Sequence, residues 1–254
     1  MNIPTNKKVI KESFTRDGYA VIRGFLNRAQ VENASQQVSH FIDNVLPQLD
    51  ASEAMFEDRE NPETLKQIPN LSAHSPFFQE MLSSERFVDL AELLLDGQVA
   101  PVGIQWFDKA PGASQATPAH QDGFFFMLQP NEAVTMWLAL GDVDDANGCL
   151  RYVPGSHRTG LRNHGRTDVV GFSQAITDYD TNDREREVAI HAEPGDLLVH
   201  HSLTIHTAGA NTSSNRHRRA LQMVYYAEHA KQDKEQYQAY EESLKNELVE
   251  NGKL

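Results

Sequence analysis

The spacing of hydrophobic and polar positions changes near residue 98. Before that point apolar side chains recur at intervals of three and four. Val31, Ala34, Val38, Phe41, Ile42 and Val45 mark one face of a helix over 28–46. Phe87, Leu90, Leu93 and Leu94 mark a second helix over 85–96. Ahead of both, KESFTRDGYAVIRGFL (11–26) predicts a short helix, a turn at Asp17-Gly18 and a strand from Tyr19 to Ile22. Residues 50–76 are acidic, contain Pro62, Pro69 and Pro76, and are expected to form a loop.

From Val99 the pattern shortens. Apolar segments at 102–107, 119–127, 134–140, 149–153, 188–192, 196–200 and 219–226 alternate with Gly, Pro, Asn and Asp. Short strands between turns predict an antiparallel sandwich or barrel. A polar stretch at 159–187 interrupts this rhythm, and so long a loop inside a compact domain is either functional or disordered. Its arginines, with Arg158, Arg162, Arg166, Arg184 and Arg186 in or beside it, admit two readings. One is a solvated surface balanced by Asp168, Asp178, Asp180 and Asp183, and the other is a lid that brings cations over an anionic substrate. The tail from Glu228 is charged and predicts a surface helix carrying Tyr237 and Tyr240. The expected organisation is one domain over 1–254. It comprises a strand and helical support region (1–98), a β core (99–227) holding the 159–187 insertion, and a helical tail (228–254).

Composition narrows the classes. A chain of 254 residues suits one such domain. No run of about 18 apolar residues occurs, so no membrane-spanning helix is expected. No apolar segment follows Lys7 and Lys8, so the expected location is cytoplasmic rather than secreted. Acidic residues number 36 against 23 basic ones, a formal charge of −13, which removes the basic footprint of a nucleic-acid binder. The one cysteine, Cys149, excludes an intramolecular disulfide and a cysteine-based zinc site. Metal chemistry must therefore run through the eleven histidines and the carboxylates. Oligomeric state is left open.

The first chemical signal is His120-Gln121-Asp122, followed by Gly123 and three phenylalanines. On a strand, residues i and i+2 share a face, so His120 and Asp122 aim at one point. By the same parity Phe124 and Phe126 would wall a substrate pocket and Phe125 would pack outward. A distal histidine, His206, closes the segment LLVHHSLTIH. Two histidines and one carboxylate are the donors of a non-haem Fe(II) facial triad, which leaves three positions open for co-substrate and oxygen. Zinc accepts the same donors. A cupin-like metal-binding protein or a zinc hydrolase without oxygenase activity is thus the alternative reading. Other residues have plainer roles. His157 should pin a turn, Asn147-Gly148 should form one, and Cys149 should pack as a small buried side chain. His200 and His201 should face opposite sides of a strand, one of them as a buried, satisfied histidine.

Several longer motifs carry a family resemblance. They are FDKAPG (107–112), the HQD triplet, MWLALGDVDDANGCLRYVPGSHRTG (136–160), EPGDLLVHHSLTIHTAGAN (193–211) and RRAL (218–221), with GYAVIRGFL (18–26) near the start. Together the chain resembles the phytanoyl-CoA dioxygenase family of Fe(II)- and 2-oxoglutarate-dependent oxygenases. The resemblance implies a mainly β fold with flanking helices, its core a double-stranded β-helix of the cupin-like jelly-roll type. It implies His120, Asp122 and His206 as iron ligands and an arginine beyond the distal histidine that grips the far carboxylate of 2-oxoglutarate. Aligning RRAL with the start of the family's equivalent strand selects Arg218 over Arg216 and Arg219. A guanidinium fork matches a carboxylate with two parallel hydrogen bonds. Trp137 stands where the family places an aromatic beside 2-oxoglutarate. Gln105, with Phe107 and Lys109, shares a strand face and is a candidate pocket residue. Relatives carry a small hydroxyl residue two positions after the distal histidine; here that position is Ala208, and Thr207 offers the nearest hydroxyl. The implied reaction uses Fe(II), 2-oxoglutarate and O2, hydroxylates a C–H bond of a small-molecule substrate and releases succinate and CO2. Asp122 stands where related halogenases carry a small residue, which favours hydroxylation. The family name implies an acyl-CoA substrate, while the formal charge of −13 favours a small polar, zwitterionic or anionic molecule, and both readings stay open.

Overall fold

The structure, a computed structural model, describes residues 6–112 and 114–250. Helix α1 (Lys7–Asp17) begins at Asn6, whose side chain accepts the Val9 N–H at 3.3 Å, and ends where the Gly18 N–H reaches the Phe14 carbonyl. Strand β1 (Tyr19–Ile22) follows directly, as expected. Helix α2 (Arg28–His40) opens with a reciprocal capping box between Asn27 and Gln30. Its apolar face continues through a single π turn at Phe41–Val45.

Residues 50–76 are not the expected loop. They hold β2 (Met55–Phe56), β3 (Leu65–Ile68) and α3 (Leu71–His74). The prolines flank β3 rather than interrupt it, and Leu65, Lys66, Gln67 and Ile68 are all buried. Two polar residues at its centre hide this strand from a reading by hydrophobic alternation. Helices α4 (Pro76–Leu82) and α5 (Glu85–Leu95) lead into the long strand β4 (Val99–Phe107).

The expected strand over 119–127 also needs correction. Strand β5 (Thr117–His120) stops at the first histidine. The Gly123 N–H then bonds to the Ser202 carbonyl and the Phe124 N–H to the Gln121 carbonyl, turning the chain into the short helix α6 (Asp122–Phe126). Strands β6 (Leu128–Gln129), β7 (Ala133–Ala139) and β8 (Leu150–Tyr152) follow. The 159–187 insertion is structured. It contains a hairpin of β9 (His164–Arg166) and β10 (Gln174–Ile176), then α7 (Thr181–Glu185). The chain continues through β11 (Val188–Ile190), β12 (Leu197–His201), β13 (His206–Ala208), β14 (Ala220–Ala227) and β15 (Lys231–Gln232) to α8 (Lys234–Glu250).

Two antiparallel sheets form a jelly roll. The larger runs β1-β12-β7-β14-β4-β3-β2 and the smaller β11-β8-β13-β5. Strand β7 is buried along its whole length, and its alternation sorts the core. Val134, Met136 and Leu138 join one cluster with Phe14, Ile22, Phe87 and Leu90, the helical layer on the outer face. Trp137 and Ala139 join a second cluster with Leu150, Tyr152, Leu198 and Ala208, between the sheets. The functional residues sit in this second space. No helix among the described residues is long and apolar enough to cross a membrane.

Gly195 fixes where the N-terminal segment meets the core. Its φ is +93°, and a Cβ there would lie 2.2 Å from the Leu26 carbonyl oxygen, which is backbone and unable to yield. Gly195→Ala should therefore cost about 1–3 kcal/mol in urea unfolding. Gly24→Ala should cost less, because φ is +57° there and no atom lies within 4 Å of the added carbon. Equal losses in the two variants would contradict this account.

Candidate metal centre and co-substrate pocket

Strand pairing brings the two motif histidines together. His206 in β13 lies directly opposite His120 in β5, and their ring centroids are 4.1 Å apart. Asp122 reaches the same point from the first residue of α6 rather than from a strand. Its Oδ1 is 3.6 Å from Nε2 of both histidines, a gap that one ion with bonds of about 2.1 Å can bridge. The imidazoles are oriented for ligation. His120 Nδ1 donates to the Pro118 carbonyl at 2.9 Å and His206 Nδ1 to the Thr204 carbonyl at 3.0 Å. Each Nε2 lone pair is thereby turned toward Asp122.

Burial lowers the pKa of both histidines, His206 well below the ordinary imidazole value, so they stand neutral and ready to coordinate. Burial pushes the Asp122 carboxyl upward, but His206, the hydrogen bond from His200 and the other surrounding imidazoles outweigh it and hold the group below the usual carboxylate range. Oδ2 of Asp122 accepts from Thr135 Oγ1 at 2.5 Å and from His200 Nε2 at 3.0 Å. This donor set fits a divalent ion of the iron or zinc type. A second cluster, Asp145, Cys149 and His191, lacks that fitness. Asp145 is already engaged by Arg151, and burial pushes the Cys149 thiol up to about 11.

Arg218 is 5% exposed, and burial lowers its pKa to about 10. Its Nε has no hydrogen-bond partner among the described residues, and Cζ lies 5.3 Å from the Trp137 ring centroid. The neighbouring arginines differ. Arg216 is paired with Asp144 at the surface, and Arg219 reaches Asp108 and is half-exposed. A buried guanidinium whose Nε has no hydrogen-bond partner among the described residues suits a carboxylate supplied by a ligand. Gln105 lies on the same sheet face as Trp137, each opposite Gln222, and its Oε1 accepts from Gln67 Nε2 at 2.7 Å. Thr207 is not brought to this cluster. Period two in β13 turns it away from His206, and its hydroxyl donates to Glu187 Oε1 at 3.0 Å. Two lysines are buried, Lys109, which strand parity placed on the candidate pocket face with Gln105, and Lys66, which no sequence signal marked. Lys109 exchanges both backbone hydrogen bonds with Arg218, and Lys66 Nζ lies 2.7 Å from Glu57 Oε1.

From the insertion, the Phe172 ring lies against His120, next to Phe125 of α6. Phe172 and Phe125 lie 5.1 and 6.0 Å from the His120 ring. Phe124 stacks on His164 and Phe126 packs on Tyr226, so the expected parity of the three phenylalanines is reversed. Helical pitch in α6 replaces strand alternation there. Arg162 is committed to Asp178 and Asp183 within the insertion itself. His157 does hold a turn, through the Thr15 carbonyl. His201 accepts the Leu203 N–H and packs toward Phe14, while His200 on the opposite face serves Asp122.

A cupin-like jelly roll with two histidines and one carboxylate meeting between its sheets defines a class of mononuclear metal proteins. A profile of the phytanoyl-CoA dioxygenase (PhyH) family matches residues 14–220, and the chain belongs to that family. The phytanoyl-CoA dioxygenase of Arabidopsis thaliana is 34% identical over 154 residues, covering 59% of this chain and 53% of the relative. A probable phytanoyl-CoA dioxygenase of Caenorhabditis elegans is 25% identical over 230 residues, covering 84% and 72%. The chain thus spans about half the length of the Arabidopsis relative. Among solved structures, the epimerase SnoN in complex with Fe3+, alpha ketoglutarate and nogalamycin RO superposes with a TM-score of 0.72 at 23% identity, covering 90% of this chain and 86% of that one. That likeness is one of fold.

Lys109 makes the electrostatics of the pocket measurable. Burial, then Arg218 and Lys66, lower its amine to about 6, although Nζ donates to the Gln115 carbonyl at 2.7 Å. Between pH 6 and 10.5 the unfolded chain binds a proton that the folded chain does not, so the Lys109 contribution to stability rises with pH across that window. Lys109→Met removes this dependence. Its stability relative to wild type, from urea unfolding of metal-free protein, should fall by more than about 1 kcal/mol between pH 6 and pH 9. A difference that stays constant with pH would contradict the burial argument.

Proposed function

We propose that this protein is an Fe(II)- and 2-oxoglutarate-dependent dioxygenase that oxidises a C–H bond of a small molecule and releases succinate and CO2. The observation that carries this reading is the pairing of two features in one space. A three-donor metal face of His120, Asp122 and His206 stands with a buried guanidinium, Arg218, whose Nε has no hydrogen-bond partner among the described residues. A zinc hydrolase needs the first feature and has no use for the second. Relatives named phytanoyl-CoA dioxygenase, and a neighbour of the same fold holding Fe3+ and alpha ketoglutarate, support the same assignment.

His120 Nε2, His206 Nε2 and Asp122 Oδ1 would hold the iron. Bound there, Fe(II) supplies O2 activation and the oxidative decarboxylation of 2-oxoglutarate. Arg218 would receive the far carboxylate of 2-oxoglutarate through its fork, with the Trp137 ring against the guanidinium fixing its plane. Gln105 would line the same face. Burial of these groups excludes water and strengthens each contact. Phe125 and Phe172 would present an apolar wall beside the metal face.

Anaerobic titration of metal-free protein with Fe(II) and 2-oxoglutarate should give the visible charge-transfer band of the chelated co-substrate. Arg218→Ala should raise the 2-oxoglutarate concentration needed by roughly 10–100-fold, the loss of about 1.5–3 kcal/mol from charge-assisted hydrogen bonds. Asp122→Ala should abolish succinate formation. Tight zinc binding with no band would instead favour a hydrolase or a ligand-binding protein.

A further inference from the structure

We infer that His200 is a positioning residue that fixes Asp122 as a one-oxygen ligand and so keeps the metal's remaining positions open. The inference rests on the reading of His120, Asp122 and His206 as the metal centre. His200 is 2% exposed, and both of its ring nitrogens are used. Nε2 lies 3.0 Å from Asp122 Oδ2 and Nδ1 lies 3.0 Å from the Tyr152 hydroxyl.

A carboxylate oxygen only accepts, so Nε2 of His200 carries the hydrogen and donates to Asp122 Oδ2, while Nδ1 shares a hydrogen bond with the Tyr152 hydroxyl. The contacts run from Tyr152 through His200 to Asp122. An Nε2 that carries a hydrogen has no lone pair for a metal, so His200 is not a fourth ligand. Thr135 Oγ1 donates to the same Oδ2. Two donors occupy the two lone pairs of Oδ2, and Oδ1 alone faces the imidazoles of His120 and His206. For both carboxylate oxygens to bind one ion, Oδ2 would have to leave two hydrogen bonds in a dry space. A metal held here would therefore receive one bond from Asp122, which leaves room beside it for a co-substrate and oxygen.

The fold holds this arrangement rigidly. Thr135 and His200 are direct cross-strand partners in β7 and β12, so the two donors to Oδ2 stand side by side. On its other edge His200 pairs with Tyr19 of β1, and the Tyr19 ring stacks on Tyr152 at 4.5 Å and 15°. The N-terminal strand thereby backs the tyrosine that orients the histidine that orients the ligand.

The test needs no substrate. Fe(II) and, separately, Co(II) are titrated anaerobically into metal-free wild type, His200→Leu, His200→Gln and Tyr152→Phe, in competition with a chelator, and the Fe(II)–2-oxoglutarate band is then recorded. His200→Leu should weaken metal binding by about 10–100-fold and shift the band. His200→Gln retains a donor near Nε2 and should recover most of both. Tyr152→Phe should give a smaller change in the same direction. Metal-free unfolding midpoints and circular dichroism establish which variants fold. If His200→Leu does not fold, Tyr152→Phe against wild type decides by the same two readouts. Wild-type affinity and an unshifted band in folded His200→Leu, or in Tyr152→Phe where that variant decides, would overturn the inference and leave the metal centre standing. Failure of wild type to bind either ion would overturn the metal-centre reading itself, and this inference with it.

Discussion

The pairing of His206 with His120 across the small sheet is the constraint on which the rest of the site depends. Directly opposed residues in an antiparallel ladder project their side chains together, so two imidazoles distant in sequence share one point without help from any loop. Ending β5 at His120 lets the next residues turn, and the first residue of α6 delivers Asp122 from a third direction. Three donors on a continuous strand could not face one ion from three sides. The break in the strand leaves the three donors on one side of a common point, and the paired strands fix the two histidines there.

The cost of the site is electrostatic. Arg218, Lys109 and Lys66 are buried near one another, and of these Lys66 has a carboxylate at 2.7 Å. Burial lowers the pKa of Lys109 and Arg218, which measures how poorly the space between the sheets tolerates their charge. A core built for stability alone would place apolar residues there. The fold meets this cost with the apolar cluster on the other face of the same sheet, where Phe25, Phe87, Leu90 and Met136 have almost no exposure. The outer face of β7 carries the stability, and the inner face is left free to carry polar side chains such as Thr135.

Much of this was legible in the sequence, and the exceptions share one cause. The turn at Gly18, the strand after it and the helices over 28–40 and 85–95 follow local periodicity. The motif residues His120, Asp122 and His206 stand out by type and spacing, and the structure brings them together. Strand β3 and its Lys66 do not stand out, because a lysine is ordinarily a surface residue and here its burial depends on partners elsewhere in the chain. Thr207 looked suitable by composition, yet strand parity turns it toward Glu187. The support for Asp122 crosses 48 residues from Tyr152 to His200 and 78 from His200 to Asp122. No local window contains such a chain of contacts. Tertiary pairing creates it, and only side-chain parity on β7 and β12 hints at it.

Gln121, the middle residue of the motif, links the metal centre to the insertion above it. Its side-chain amide donates to the Gly160 and Leu203 carbonyls and accepts the Arg162 N–H, while its own N–H goes to His164 Nε2. The base of the insertion is therefore pinned to the segment that carries His120 and Asp122. The tip is held differently. Phe172 lies against Phe107 and His120, Gly171 packs close to Gln67, and Ser173 bonds the Tyr240 hydroxyl of α8. These contacts join the tip to strands β3 and β4 and to helix α8, elements far from it in the chain. The residue between His120 and Asp122 thus ties their segment to the base of the insertion, while separate elements hold its tip.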